Sequence, residues 1–166
     1  MQIKELPFLM SVAELSSNRS SAVRMKVGAV AADSEGRIIA TGYNGTHVGA
    51  SNVCESKVYA NWVMSDTNTP SNEEFPYYDV EARDYYKLVT LDSVIHAEQN
   101  VIAYSARRGL SLEGASVIGT HSPCMKCATL LIQSGVKEMW FKHKYRLFDQ
   151  VNDEVGQYIR LIHYCG

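Results

Sequence analysis

Four side chains stand at spacings that could do chemistry. His96 and Glu98 are separated by one residue in His96-Ala97-Glu98, and Cys124 and Cys127 form a C-x-x-C pair behind Pro123. One imidazole and two thiols are a zinc donor set. Zinc takes nitrogen and sulfur at tetrahedral corners, and a catalytic site uses three protein ligands with the fourth corner open. The Glu98 carboxylate is then surplus to ligation and free to move protons. The i, i+3 spacing sets both thiols on the same side of one helical turn. A helix start at each ligand group would favour thiolate over thiol, through unpaired N–H groups and the positive dipole end. Two other readings use the same residues. A closed zinc clip needs a fourth ligand, from His121, Cys54 or Cys165, and a redox dithiol leaves His96 and Glu98 without a role.

The surrounding pattern supplies the helices that this site needs. Residues 96–108 carry Ala97, Val101, Ile102, Tyr104 and Ser105 on one helical face, with Arg107 and Arg108 in the last turn and Gly109 at the stop. Residues 124–134 read as a second helix stopped by Gly135, and residues 115–121 as a strand between the two. A strand over 136–142, a helix over 149–158 and a short strand over 159–164 follow. Strands alternating with helices imply right-handed crossovers and a largely parallel half-sheet. Upstream, residues 5–18 predict an opening helix, and strands over 24–33 and 37–44 predict an antiparallel hairpin. The expected fold is therefore α/β, a three-layer α/β/α arrangement whose mixed five-stranded sheet has a leading β-hairpin. Residues 45–55 read as a loop. Residues 56–94 fit least well, and short helices are predicted there over 58–64 and 81–89.

Composition narrows the class. The 166 residues suit a single domain spanning 1–166, 46% hydrophobic and 20% charged, with a formal net charge of −2. That balance argues against a nucleic-acid binder with a basic stripe. No apolar run approaches the roughly 18 residues of a membrane span, and no signal-peptide core opens the chain, so a cytoplasmic protein with no membrane partner is expected. In a reducing compartment the C-x-x-C pair reads as metal-binding or redox chemistry before it reads as a disulfide.

H-x-E followed by P-C-x-x-C is the signature of zinc-dependent nucleobase deaminases, in which the glutamate is acid and base and not a ligand. Further stretches add to it: Val27-Gly-Ala-Val30, Gly42-Tyr-Asn-Gly45, His96-Ala-Glu-Gln-Asn100, Ser122-Pro-Cys-Met-Lys-Cys127 and Gln133-Ser-Gly-Val-Lys137. On these the sequence from about residue 24 to 145 resembles the deoxycytidylate (dCMP) deaminases of the cytidine/deoxycytidylate deaminase zinc family. The resemblance implies a cytidine-deaminase-like fold, a homo-hexamer, and hydrolytic deamination of dCMP to dUMP and ammonia, feeding dTMP synthesis. It also implies activation by dCTP and inhibition by dTTP, with Mg2+ accompanying the triphosphate effector.

By position, the resemblance implies zinc on His96, Cys124 and Cys127, with Glu98 catalytic. It implies nucleotide contacts from Asn44, Arg24, Tyr145, Ala97 and Ser122, and a weaker second cation in Lys26. The Ser122 backbone carbonyl would receive the 4-amino group, and its side chain is assigned no role. Gly42, Tyr43, Gly45 and Arg107 are the implied effector contacts. The stretch before His96 lacks the His and Cys that build a second, structural zinc in several relatives. One zinc per chain is therefore expected, with Cys54 packing as a lone thiol.

Each substrate residue has a plainer reading as well. Asn44 could serve only as a turn former beside Gly45, Arg24 as a solvated strand end, Tyr145 as packing, and Arg107 as a complement to the helix dipole. Other functions share the zinc signature: deamination of a nucleoside, tRNA or single-stranded DNA, or a non-enzymatic zinc-stabilised module. A riboflavin-pathway deaminase usually brings a fused reductase domain, for which this chain has no room.

Overall fold

The computed structural model of the chain describes residues 3–60 and 73–166. After a 3-10 turn (Ile3–Glu5), helix α1 (Leu6–Ser17) opens with Leu6-Pro7, where the missing proline N–H needs no partner. Strands β1 (Gly28–Ala32) and β2 (Ile38–Tyr43) form an antiparallel hairpin with a bulge at Ala31/Ala32. The chain then makes a separate three-stranded antiparallel sheet from β3 (Glu55–Tyr59), β4 (Tyr77–Asp79) and β5 (Asp84–Thr90), in the order β3-β5-β4.

The second half alternates regularly. Helix α2 (Ala97–Arg108), strand β6 (Ser116–His121), helix α3 (Met125–Gln133), strand β7 (Glu138–His143), helix α4 (Phe148–Val155) and strand β8 (Arg160–His163) follow in turn. The main sheet runs β2-β1-β6-β7-β8. Strand β1 is antiparallel to β6, and β6, β7 and β8 are mutually parallel. The mixed five-stranded sheet, its leading hairpin and its parallel half are those expected from the sequence.

Alternation along β1 and β6 separates the two faces. Val30, Ala32 and Ile118 pack with Leu6, Leu9, Met10 and Ala13 of α1 on one side. On the other, Ala29, Ala31 and Val117 meet Ala97 and Val101 of α2, Ala128 and Leu131 of α3, and Val151 and Val155 of α4. Small residues let the layers approach closely. A Cβ on Gly42 would collide with the Ala97 carbonyl oxygen and stand 2.9 Å from the Val101 amide. Gly42→Ala must therefore push the first turn of α2 off β2. It should destabilise the fold by about 1–3 kcal/mol and lower activity with it, as thermal melts and turnover on the same preparation would show.

Three expectations need correction. The helices predicted over 58–64 and 81–89 do not form where the chain is described: Val58 and Tyr59 end β3, and 84–89 lie in β5, while 61–64 fall outside the described residues. Tyr85, Tyr86, Val89 and Thr90 are strand formers, and the pairing Tyr59↔Tyr86 and Tyr77↔Tyr86 builds an aromatic row across the small sheet, tilted at the first contact and stacked at the second. The strand predicted over 24–33 begins only at Gly28. Arg24 lies in a bend, and residues 25–27 are irregular chain held by the Asn44 side chain and by the Asn44 amide donating to the Val27 carbonyl. Among the described residues no helix is long and apolar enough to cross a membrane.

Candidate functional site

One end of the main sheet collects the segments that carry the predicted zinc and nucleotide residues. Because β6 and β7 are parallel, His121 and His143 end side by side. Because β1 and β2 are antiparallel, the start of β1 and the end of β2 meet at Gly28↔Tyr43, and the Gly28 amide donates at 3.2 Å to Thr120 Oγ1, near the end of β6. Residues 24–27, 43–45, 121–124 and 143–146 thus converge. The bridge Gly45↔Ile95 ties the loop after β2 to the residue before His96.

His96 and Cys124 are N-caps, both extended, of α2 and α3. The Gln99 side chain accepts the His96 amide N–H at 2.9 Å and fixes that end of α2. Two helix N-termini therefore face one point. His96 Nδ1 lies 3.7 Å from Cys124 Sγ and 3.4 Å from Cys127 Sγ. Zinc bond lengths of about 2.3 Å to sulfur and 2.0–2.1 Å to nitrogen put tetrahedral N···S edges at about 3.6 Å, so the triad fits the ion as it stands. The three ligand atoms lie within 4.8 Å of one another, and among the described residues no fourth His, Cys, Asp or Glu joins them. The candidates for a closed clip are placed elsewhere. Cys54 is buried against Ala22 and Val94, exposed Cys165 sits by His163, and His121 lies outside the ligand group.

Charge follows burial and the helix ends. The hydrogen bond from the Cys127 thiol, with help from His96, holds Cys124 down to about 4. The same bond pushes Cys127 up, with burial adding to it, so the pair retains one shared proton. The hydrogen bond to Cys124 raises His96. Burial pushes the Glu98 carboxyl up to about 7, against the opposing attraction of His96. A divalent cation bound beside it would draw the carboxyl back toward ionisation. A buried acid poised near neutrality is suited to taking and giving protons.

A cavity of about 370 Å³ opens from this triad toward solvent. It is lined by His96, Ala97, Glu98 and Cys124 at one end, and by Arg24, Asn44, Ser122 and Tyr145 from the predicted nucleotide set. Lys26 is exposed and does not line it. Asn44 reaches the cavity wall while its amide spans the neighbouring chain: Val27 N–H donates to Oδ1 at 2.8 Å, and Nδ2 donates to the Met25 carbonyl at 2.9 Å. The Ser122 side chain, given no role from sequence, accepts the Tyr145 amide N–H at 2.7 Å and so fixes the segment that carries Tyr145.

Several lining residues escaped the sequence reading. Lys144 and Arg146 flank Tyr145, and a cation on either side of a candidate ring was a signal available in the sequence. Lys144 is 3.5 Å from Asp149, and the Arg146 guanidinium lies 5.5 Å from the Tyr145 ring centre. His121 lines the cavity too, and burial and then His143 push its imidazole pKa down. Glu55 and Thr90 arrive from the small sheet, which periodicity had misread.

Three of the four implied effector residues fall apart from this cavity. Gly42, Tyr43 and Arg107 line a second hollow of about 660 Å³, together with Arg19, His47, Asn100 and Tyr104. Gly45 is not among its lining residues; its backbone pairs with Ile95.

Comparison with known proteins gives the family. A deoxycytidylate deaminase of Enterobacteria phage T4 is 34% identical over 149 residues, covering 82% of this chain and 77% of its own. A human deoxycytidylate deaminase is 32% identical over 144 residues, covering 86% and 67%. The crystal structure of dCMP deaminase from cyanophage S-TIM5, in complex with dCMP and dUMP, superposes with a TM-score of 0.73 at 28% identity, over 99% of both chains. The family profile described as the cytidine and deoxycytidylate deaminase zinc-binding region matches residues 3–143, which include the whole donor set, and the chain belongs to that family.

Proposed function

We propose that the chain catalyses the hydrolytic deamination of dCMP to dUMP and ammonia, with zinc on His96, Cys124 and Cys127 and Glu98 as the proton carrier. One observation carries the choice of a nucleotide: the cavity lined by His96, Cys124 and Glu98 is also lined by Arg24, Lys144 and Arg146. A cytosine ring at the triad leaves a 5′-phosphate to meet cations of the same cavity. The names of the relatives above, and the nucleotides bound in the phage structure, support that assignment.

When bound, zinc supplies a Lewis acid that brings the pKa of water at its open corner to about 7. The chain's residues do the rest. Glu98 accepts a proton from the attacking water and passes it to ring N3 as the C4–O bond forms. It then takes the proton of the new hydroxyl and delivers it to the 4-amino group, so that the C4–N bond breaks and ammonia leaves. The Ser122 carbonyl receives the amino group, and Asn44 and Tyr145 contact the sugar and ring. Arg24 forks onto the phosphate.

The wider reading places this single 1–166 domain in the cytoplasm as a homo-hexamer, activated by dCTP with Mg2+ and inhibited by dTTP. The second hollow supports the effector part. Its wall includes Asn100, Tyr104 and Arg107 of α2, the helix whose first turn carries Glu98, and the Arg19 guanidinium lies 5.0 Å from the Tyr43 ring centre.

Zinc-loaded protein should release ammonia from dCMP with a kcat/KM at least about 100-fold above that for deoxycytidine, and Arg24→Ala should raise the KM for dCMP by about 10–100-fold, the scale of one hydrogen bond to a charged group. Equal turnover of deoxycytidine and dCMP would overturn the nucleotide assignment. Responses to dCTP and dTTP in the same assay test the effector reading.

A further inference from the structure

The segment that carries Arg24 has no strand of its own to hold it, yet it is pinned at several atoms. From the main sheet's side, Asn44 holds Met25 and Val27. From the other side the small sheet grips it. Glu55 Oε1 accepts the amide N–H of Val23 at 3.1 Å and of Arg24 at 3.2 Å, and Arg24 Nη1 donates to Thr90 Oγ1 at 3.0 Å. Glu55 and Thr90 are register partners, Glu55↔Thr90, where β3 and β5 meet the body of the protein. Both line the cavity.

The division of labour between the two has electrostatic content. An acidic side chain next to an arginine ordinarily pairs with it and cancels the charge. Here the Glu55 oxygen is turned onto backbone amides, and the guanidinium is steadied by a neutral hydroxyl. Among the described residues no carboxylate forms an ion pair with Arg24, whose remaining donors stay available to an anion.

We propose that Glu55 and Thr90 are positioning residues which hold the Arg24 guanidinium oriented and uncancelled toward the cavity, so that the small β3-β5-β4 sheet sets the affinity for the substrate's 5′-phosphate. This rests on the nucleotide reading above and extends it to residues that need not touch substrate. A fixed fork loses less freedom on binding a phosphate than a mobile one, and the gain appears in KM.

The test compares KM and kcat for dCMP and for deoxycytidine, which lacks the phosphate, in the zinc-loaded protein. Thr90→Val should raise the KM for dCMP about threefold to tenfold and leave the KM for deoxycytidine where it was. Thr90→Ser, which keeps the hydroxyl, should recover at least half of that loss. Glu55→Ala should act in the same direction through the backbone. In an Arg24→Ala background, neither Thr90→Val nor Glu55→Ala should change the KM for dCMP further. Equal effects on both substrates, or full effects without Arg24, would make these residues merely structural and overturn the inference while the function stands. A parent protein that shows no preference for dCMP would overturn the nucleotide reading, and the inference with it.

Discussion

Glu98→Gln should cut turnover severely while leaving the metal in place. The amide matches the carboxylate in shape and keeps the buried volume, but it can neither accept a proton from water nor deliver one to the departing amine. A proton shuttle of this type contributes about 10²–10⁴-fold, and kcat should fall by that amount with zinc content unchanged. The same substitution should raise stability. Burial lifts the folded carboxyl from its ordinary 4.5 to about 7. The folded chain therefore binds more protons than the unfolded chain between those values, and its stability falls as pH rises through that window. Glu98→Gln removes this loss, so the metal-free variant should melt above the metal-free parent at pH 7.5 and draw level with it near pH 4. A variant with parental kcat would remove Glu98 from the chemistry.

Cys127→Ser should cost the metal itself. Cys127 is fully buried, and its sulfur completes the triad from inside the first turn of α3. A hydroxyl is a poor zinc donor, and two ligands hold zinc far more weakly than three. After dialysis the variant should retain less than about a tenth of a zinc per chain, and added zinc should no longer raise its Tm as it raises the parent's. Activity should vanish with the metal. The thiol pair also sets a pH dependence for the parent. Metal-free, the pair retains a shared proton, because Cys124 is held down while Cys127 is pushed up. Zinc must expel that proton, so affinity should rise with pH, and loading at neutral pH should release at least one proton per chain. Calorimetry in buffers of different ionisation enthalpy reads that number directly. Loading without proton release would mean that the thiols are not both ligands.

The chemistry was legible because it is local. His96 and Glu98 share a helical turn, as do Cys124 and Cys127, and glycines mark where the two helices stop. The layers were legible for a similar reason, since the α2-β6-α3-β7 succession shows its periodicity without interruption. The small sheet was not. Asp84-Tyr-Tyr-Lys-Leu-Val-Thr90 exposes both faces in part, so no clean two-residue alternation distinguishes it from a helical run. The pairing Glu55↔Thr90 spans a stretch of chain that no local pattern bridges. Arg24 was found through the family resemblance, but what holds it was hidden along with that pairing. Ser122 was named for its carbonyl, whereas its hydroxyl makes the contact that fixes Tyr145. Such contacts depend on which strands end side by side, and spacing does not reveal that.

The convergence of four segments at one end of the sheet divides the site into two kinds of inheritance. The metal triad and Glu98 lie within one short, uninterrupted span from 96 to 127, where closing the chain on itself costs little entropy. The opposite end of the cavity is assembled from positions 24, 44, 55, 90 and 145, whose contacts are long-range and form only when the whole topology is in place. On the proposed function, the reaction is encoded in a compact cassette, and discrimination among substrates is distributed around it. Under that proposal, exchanging or reshaping the small sheet alters which anion the site selects and leaves the 96–127 span undisturbed.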